Sequence, residues 1–583
     1  MHVSRIVRKY ETADGVKKEY VSHVLRRAYQ QDGKIRNETL ATLTALPDPA
    51  IDAIRAVLAG RTVLTAGEDL KIARALPHGH VAAVAAQAKQ LRLPALLGPA
   101  CPERDLVLAL IIARVVRPGS KLATTMWWTD TTLAADLDIA AASTYDVYAA
   151  MDWLADRQET IETKLARRHL EDTGANPHRL AMFDLSSSWM TGNHCPLAAR
   201  GYSRDGKKGL PQIEYGLRTD PAGRPVAVKV FPGNTADPTA FTAITETVKN
   251  RFGLEHLVLV GDRGMITNAR VNALKELGGY GWVTALRAPA IAKLAADDGP
   301  LQLSLFDQAD LAEISHPDYP GERLVACRNP ALAEERARKR ADLLAATDAA
   351  LDTIQAAVAA GRLTGADKIG LRVGKVINRY KMGKHILPQI TDHSFTYSHD
   401  QARIKSEAAL DGIYIIRTTI PTTQMDSAQV VDTYKNLSRV EQDFRSLKSI
   451  DLDLRPIHHH TESRVRAHVF ICMLASYLTW HLREAWKPLT FTDENRPTSD
   501  ERDSPVAPAK RSDSADQKAA SKTTVDQLPA MSFNNLLAHL GTLTRNQIQV
   551  TDQNEFDLLA EPTDVQRRAF ELLNTKIPLK AGK

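Results

Sequence analysis

Arg179-Leu-Ala-Met-Phe-Asp184 is the stretch on which the fold turns: a short apolar run, suited to a buried strand, that ends in an acid. Two further strand-like runs follow, Gln212 to Arg218 and Pro225 to Val230, joined by the turn Thr219-Asp-Pro-Ala-Gly-Arg224. Asp237-Pro238 supplies an N-cap and a first-turn proline for a helix to about Arg251. Leu257-Val-Leu-Val-Gly-Asp262 is a fourth strand, near-continuously apolar and again ending in an acid. Thr267 to Leu277 reads as a helix and Tyr280 to Leu286 as a fifth strand. The order βββαβαβ predicts an α/β core over 179–287, a mixed sheet with helices on its faces.

Beyond that core the pattern changes. Residues 288–410 form an α-rich insertion dominated by the helix-forming stretch Ala331 to Gly361, with a strand candidate at Phe395-Thr-Tyr397. The strand Gly412-Ile-Tyr-Ile-Ile-Arg417 returns the chain to the sheet, and a helix over Asp426–Ser449 is long enough to cover it. A second, apolar helix from Glu462 to about Trp486 completes the core's second part, 411–486. On the N-terminal side, 1–47 alternates polar and β-favouring residues around the turns Ala13-Asp14-Gly15 and Gln31-Asp32-Gly33, a small β-rich module. Residues 48–178 are Ala/Leu-rich and helical, and their charged stretch Thr144 to Leu170 carries Arg157, Lys164, Arg167 and Arg168. That stretch is either a solvated face or a DNA-contacting one. Residues 487–524, rich in Pro, Ser, Asp, Lys and Thr, predict a disordered linker, and 525–583 a small helical tail.

The whole chain of 583 residues exceeds what one hydrophobic core sustains, so several domains are expected. Its 44% hydrophobic and 25% charged residues are those of an ordinary water-soluble protein, and no apolar run is long enough to span a bilayer. Met1-His2-Val3-Ser4-Arg5 leads into charged residues rather than a secretory signal, so a cytoplasmic location is expected. Cys101, Cys195, Cys327 and Cys472 are too scattered for a disulfide scaffold or a thiolate zinc site. A net charge of +6 spread over this length is weak support for a nucleic-acid partner.

Chemistry concentrates in three acids. Asp184 and Asp262 stand at the C-terminal ends of neighbouring strands, where a sheet presents functional groups, although either alone also reads as a turn or N-cap residue. Glu441 lies in the helix after the resumed strand. Tyr434, Glu441 and Lys448 are spaced seven residues apart, about two turns each, and project from nearly one helix face. Leu437, Phe444 and Leu447 make that face apolar, and a Glu and a Lys beside a core stripe are costly unless they serve a site. Three carboxylates can hold two divalent cations, and hard oxygen ligands suit Mg²⁺ or Mn²⁺, two per active site.

Asp184, Asp262 and Glu441, together with Tyr434-x6-Glu441-x6-Lys448, resemble the acid triad and Tyr-Arg-Glu-Lys signature of DDE transposases of the IS4 superfamily, especially its IS1634-like branch. Supporting segments are Phe183-Asp-Leu-Ser-Ser-Ser188, Gly201-Tyr-Ser-Arg-Asp-Gly-Lys-Lys208, Leu210-Pro-Gln-Ile-Glu-Tyr-Gly-Leu217, Pro232-Gly-Asn-Thr235 and Gly261-Asp-Arg-Gly-Met265. The resemblance implies an RNase H-like mixed sheet interrupted by the insertion, double-stranded DNA (element ends and target) as partner, and a homodimer in the DNA complex. It implies metal ligation by Asp184, Asp262 and Glu441, and phosphate contacts by Tyr434 and Lys448. Lys207 and Lys208 join these as DNA-binding candidates. Leu437 stands where the family has an arginine, and Arg445, one turn beyond Glu441, is the expected replacement. An RNase H-like nuclease or junction resolvase, or a non-catalytic DNA-binding relative, are the alternatives.

Other candidates read more blandly. His458-His459-His460 point in different directions and suit a turn or a loop near phosphate better than a metal. Trp189, Tyr280 and Trp282 suit core or rim packing better than base stacking. No phosphate-binding Gly-x4-Gly-Lys loop is present.

Overall fold

The N-terminal alternation becomes an antiparallel meander of β1 (His2–Glu11), β2 (Lys17–Gln31) and β3 (Lys34–Thr42) in the computed structural model. The structure describes the chain except residues 13, 62, 64–69, 171–178, 193, 221, 236–256, 262–265, 267–270, 273, 276–279, 297–298, 308, 496–505, 507–510, 551–553 and 582–583. Asp32 and Gly33 join β2 to β3 with φ of 50° and 73°. Both are left-handed, as the tightest hairpins require. A helix, Asp48–Leu58, packs on β1. Strand β4 (Leu70–Pro77) pairs with the hairpin of β15 (Thr544–Val550) and β16 (Asn554–Leu559). Met1–Leu76 and Thr544–Ala560 thus form one compact unit, and Pro77–Leu543 with Glu561–Lys583 a second. This differs from the expected boundary at 47: the first helix belongs with the strands, and the C-terminal tail, expected to be helical, lends a hairpin to that unit.

In the second unit the strands read from sequence are present. They are β5 (Arg179–Trp189), β6 (Gln212–Thr219), β7 (Pro225–Pro232), β8 (Leu257–Val260) and β9 (Tyr280–Ala285). The helices expected at Asp237–Arg251 and Thr267–Leu277 lie outside the described residues, apart from a few positions of the second. Two strands of the expected insertion, β10 (Leu311–Ile314) and β11 (Arg323–Arg328), enter the same sheet beside the returning strand β14 (Ile413–Thr418). The order is β10-β11-β14-β9-β8-β5-β6-β7, with β5–β8 and β8–β9 parallel and the other pairs antiparallel. The sheet therefore extends into what composition marks as insertion.

Every residue of β6 is buried, the pattern of a strand covered on both faces. The helix Glu462–Ala485 packs on β7 and on the helices Pro102–Val116 and Thr144–Ala155, burying Phe470, Leu474, Tyr477 and Leu478. The helical N-terminal region is thus a layer of this unit rather than a separate domain. Its charged stretch is two helices, Thr144–Ala155 and Gln158–Leu170. Arg157 lies over the Trp153 ring at 4.1 Å and Arg168 donates to the Leu91 carbonyl at 2.8 Å, so those two cations serve packing.

The remainder of the insertion has its own core. The helices Pro330–Ala359 and Ala366–Tyr380 and the hairpin β12 (Ile386–Ile390) and β13 (Phe395–His399) bury Leu351, Ile354, Ile369, Val373, Ile386 and Phe395 together. Part of the expected linker is ordered as well. Ser512 caps the helix Asp513–Ser521, and the buried Lys518 ammonium donates to the carbonyls of Lys487, Thr490 and Thr492 at 2.9–3.1 Å. Three carbonyl acceptors satisfy a charge that polar composition alone would leave in water. Among the described residues no helix is long and apolar enough to cross a membrane.

Candidate active site and nucleic-acid interface

The parallel register of β5 and β8 sets Met182 opposite Val260. Asp184 and Asp262 each follow that pair by two positions. Asp184 does not end its strand as expected: β5 runs on to Trp189 because Leu185 to Trp189 keep pairing with β6, which leaves Asp184 at mid-strand opposite Leu217, whereas Asp262 lies outside the described residues.

The helix expected over Asp426–Ser449 is broken. Asp426 caps a first helix, Ser427–Lys435, through a capping box with Gln429. After Asn436 a second helix, Leu437–Arg445, continues into a π turn, Ser446–Ile450. Tyr434, Glu441 and Lys448 consequently fall on three successive segments instead of one straight face. The second helix packs on β5 and β6, with Leu437, Phe444 and Leu447 buried and the Phe444 ring 5.7 Å from Tyr215 of β6. The apolar stripe is therefore core, and Glu441 and Arg445 are exposed at its margin. Glu441 stands on the helix that covers the strand of Asp184.

Tyr434 is half-buried and lines a cleft with Arg336, Leu286, Ile413 and Tyr414. Lys448 sits in the π turn, where its ammonium meets the Asp205 carboxylate at 2.8 Å. Burial pulls the Lys448 ammonium below the usual lysine range, against the upward pull of Asp205. The π turn ends on Asp451, whose Oδ2 accepts from Ser446 Oγ at 2.5 Å and Arg483 at 2.7 Å. Lys207 and Lys208 are exposed on the loop that carries Asp205.

That loop is held at both ends. The Arg204 amide donates to Ser187 Oγ of β5 at 3.0 Å, and Gln212 Nε2 donates to the carbonyls of Tyr202 and Gly233 at 3.0 and 2.9 Å. A Cβ on Gly201 would collide with the Gly233 carbonyl, and one on Gly233 with those of Gln212 and Ala199. Three segments singled out in sequence, at 201–208, 210–217 and 232–235, therefore meet around one close backbone approach that only glycine permits.

Two further charged residues join here without a sequence signal of their own. Asp205 lies inside the segment Gly201–Lys208, which the sequence singles out only as a whole. Arg455 follows the π turn, and its guanidinium reaches the same Asp205 oxygen as Lys448, at 2.5 Å. Nearby, Ser188 Oγ bonds the Tyr215 hydroxyl at 3.0 Å, and burial pushes that phenol up.

The remaining candidates separate from the site. His459 is half-buried between Tyr148 and His468, and desolvation with Lys121 and Arg114 nearby lowers it to about 3. His458 bonds Thr191 Oγ1 at 2.9 Å and His460 faces His194. No group of residues able to hold a metal ion occurs among the described residues. Trp282 is a core residue with its indole N–H 3.3 Å from Glu322, which also pairs with Arg417. Trp189 is half-buried at the end of β5, and the Tyr280 side chain is not described.

No curated protein matches the chain. The transposase DDE domain family matches residues 186–478, a span that opens two residues after Asp184, includes Glu441 and Lys448, and covers half of the sequence. A family of this kind acts on DNA, and by that match the chain belongs to the transposase DDE domain family.

Proposed function

We propose that the chain is a cut-and-paste DNA transposase of the IS4 superfamily, in its IS1634-like branch, with Asp184, Asp262 and Glu441 as its catalytic acids. The observation that supports this reading is the parallel register of β5 and β8, in which Met182, two residues before Asp184, pairs with Val260, two residues before Asp262, while the helix of Glu441 packs on β5. The order β7-β6-β5-β8-β9, with the first three strands antiparallel and the last three parallel, supports an RNase H-like core. The exposed Glu441 carboxylate would, with Asp184 and Asp262, make an all-oxygen donor set, the kind that suits Mg²⁺ or Mn²⁺. Such cations supply activation of the attacking oxygen and neutralisation of the leaving one.

The chain's own residues do the rest. Exposed Lys207, Lys208 and Arg445 draw the phosphate backbone to the acids and hold its register. Water is the first nucleophile, breaking a phosphodiester and freeing a 3′-hydroxyl at the element end; that hydroxyl is the second, attacking a target phosphate and displacing the target strand's own 3′-oxygen, which leaves as a hydroxyl, at the same acids.

The test is cleavage and joining of an end-containing duplex by the full chain. Both reactions should require Mg²⁺ or Mn²⁺ and stop on chelation, and undiminished cutting in excess EDTA would defeat the reading. Cutting without joining would favour a nuclease or resolvase.

A further inference from the structure

Two cations and one carboxylate meet beside the candidate active site. Asp205 Oδ1 accepts from Lys448 Nζ at 2.8 Å and from Arg455 Nη1 at 2.5 Å, while Oδ2 is buried with no hydrogen-bond partner among the described residues. The carboxylate side chain is 2% exposed, against 12% for Lys448 and 25% for Arg455, so the cations lie nearer to solvent than the anion between them. Lys448 follows the helix of Glu441 by one turn. Asp205 lies on the loop anchored through Arg204 to Ser187, three residues beyond Asp184 on β5. Lys207 and Lys208 are exposed on that same loop.

A carboxylate oxygen that takes a lysine and an arginine together offers the acceptor chemistry of a non-bridging phosphate oxygen. Among the described residues, Asp205 is one negative charge against two part-buried positive ones, and the neighbouring Arg204–Glu214 pair balances itself, so the site is short of anion. A purely structural ion pair needs neither the second cation nor the bank of exposed lysines beside it.

We infer that Lys448 and Arg455 form a phosphodiester-binding pair at the active site, and that the Asp205 carboxylate holds the place of a DNA phosphate until one arrives. The inference rests on the transposase reading. It makes Arg455, ten residues beyond Arg445, the guanidinium that works with Lys448, and it gives Asp205 the role of a latch. DNA binding then exchanges one anion for another, so the free protein keeps its cations paired and ordered.

The experiment is a fluorescence-anisotropy titration of an end-containing duplex with the full chain across a salt series, run with thermal melts for wild type, Asp205→Asn and Arg455→Ala. The latch predicts opposite changes for Asp205→Asn: a lower melting temperature without DNA, because two cations lose their counter-charge, and several-fold tighter binding with a steeper salt slope. Added duplex should also raise its melting temperature more than that of wild type. Arg455→Ala, which keeps the Asp205–Lys448 pair, should bind more weakly, with a log–log salt slope flatter by about one.

A structural role for Asp205 predicts that stability and binding fall together, and that result overturns the latch. An unchanged affinity and slope in Arg455→Ala overturns the binding pair while wild-type cleavage leaves the transposase reading standing. Failure of every variant and of wild type to bind duplex at low salt defeats that reading and the inference with it.

Discussion

Glu441 and Phe444 are one helical turn apart, yet one is exposed and the other buried against Tyr215. Exchange of the acid for its amide should therefore leave folding intact while removing one anionic ligand. Glu441→Gln is expected to melt near wild type, bind duplex at least as tightly, and lose about 10²-fold or more in cleavage. Near wild-type cutting would place the third acid elsewhere.

A second residue-level expectation concerns Lys121. Its ammonium is fully buried 3.3 Å from His468 Nδ1, with Arg114, His459 and Cys472 around it, and burial lowers it to about 7. The unfolded chain keeps that proton up to the ordinary lysine range, so between about pH 7 and 10.5 the unfolded state binds more protons and stability rises with pH. Wild type should gain on Lys121→Met in melts from pH 7 to 9.5, and a pH-independent gap would refute the assignment. What spacing could not show at this scale is partnership. The family resemblance implies a phosphate contact for Lys448, but its partner Asp205 is 243 residues away in sequence.

Among the elements, legibility followed contrast. Strands β5 to β9 and β14 are apolar runs bounded by turn residues and begin where period and punctuation place them, although β5 runs five residues past Asp184. Strands β10 and β11 are as long as β8 and β9, but Glu313 interrupts the first and Arg323 and Arg328 close the second, so neither stands out from the polar sequence around it. The break at Asn436 is equally hidden, because helical spacing continues through it on both sides. The helix Asp513–Ser521 was obscured by a polar composition that Ser512 capping and the buried Lys518 overcome.

Gly412 shows how a single position sets an element. Its φ of +77° is left-handed, its carbonyl accepts from the Asn329 amide at 2.9 Å, and a Cβ would collide with the Asn329 carbonyl. Gly412→Ala should cost at least about 1 kcal/mol, read as a lower urea midpoint at unchanged m. A neutral effect would mean that the start of β14 can relax.

For the second unit as a whole, the question is which part of the long interruption the sheet needs. Deleting all of 288–410 would remove β10 and β11 and leave the edge of β14 unpaired, inviting association between chains. The apolar cluster around Leu286 and Ile415 would also lose Ile291 and Leu324. A smaller excision follows the structure better. Asn329 and Gly412 are hydrogen-bonded neighbours, and the helices and hairpin between them bury a separate core, tied back by the Arg340–Asp411 ion pair. Replacing 331–410 with a short Gly/Ser link should therefore keep a cooperative melt and a monodisperse chain, whereas deleting 288–410 should give aggregation. The cleft that Tyr434 shares with Arg336 would be opened by the smaller excision, so DNA binding is expected to weaken while the fold survives. Size-exclusion chromatography with thermal denaturation separates the outcomes. If the smaller excision also aggregates, the helical pair is integral to the core, and the position of Gly412 is held by the whole insertion rather than by its two ends.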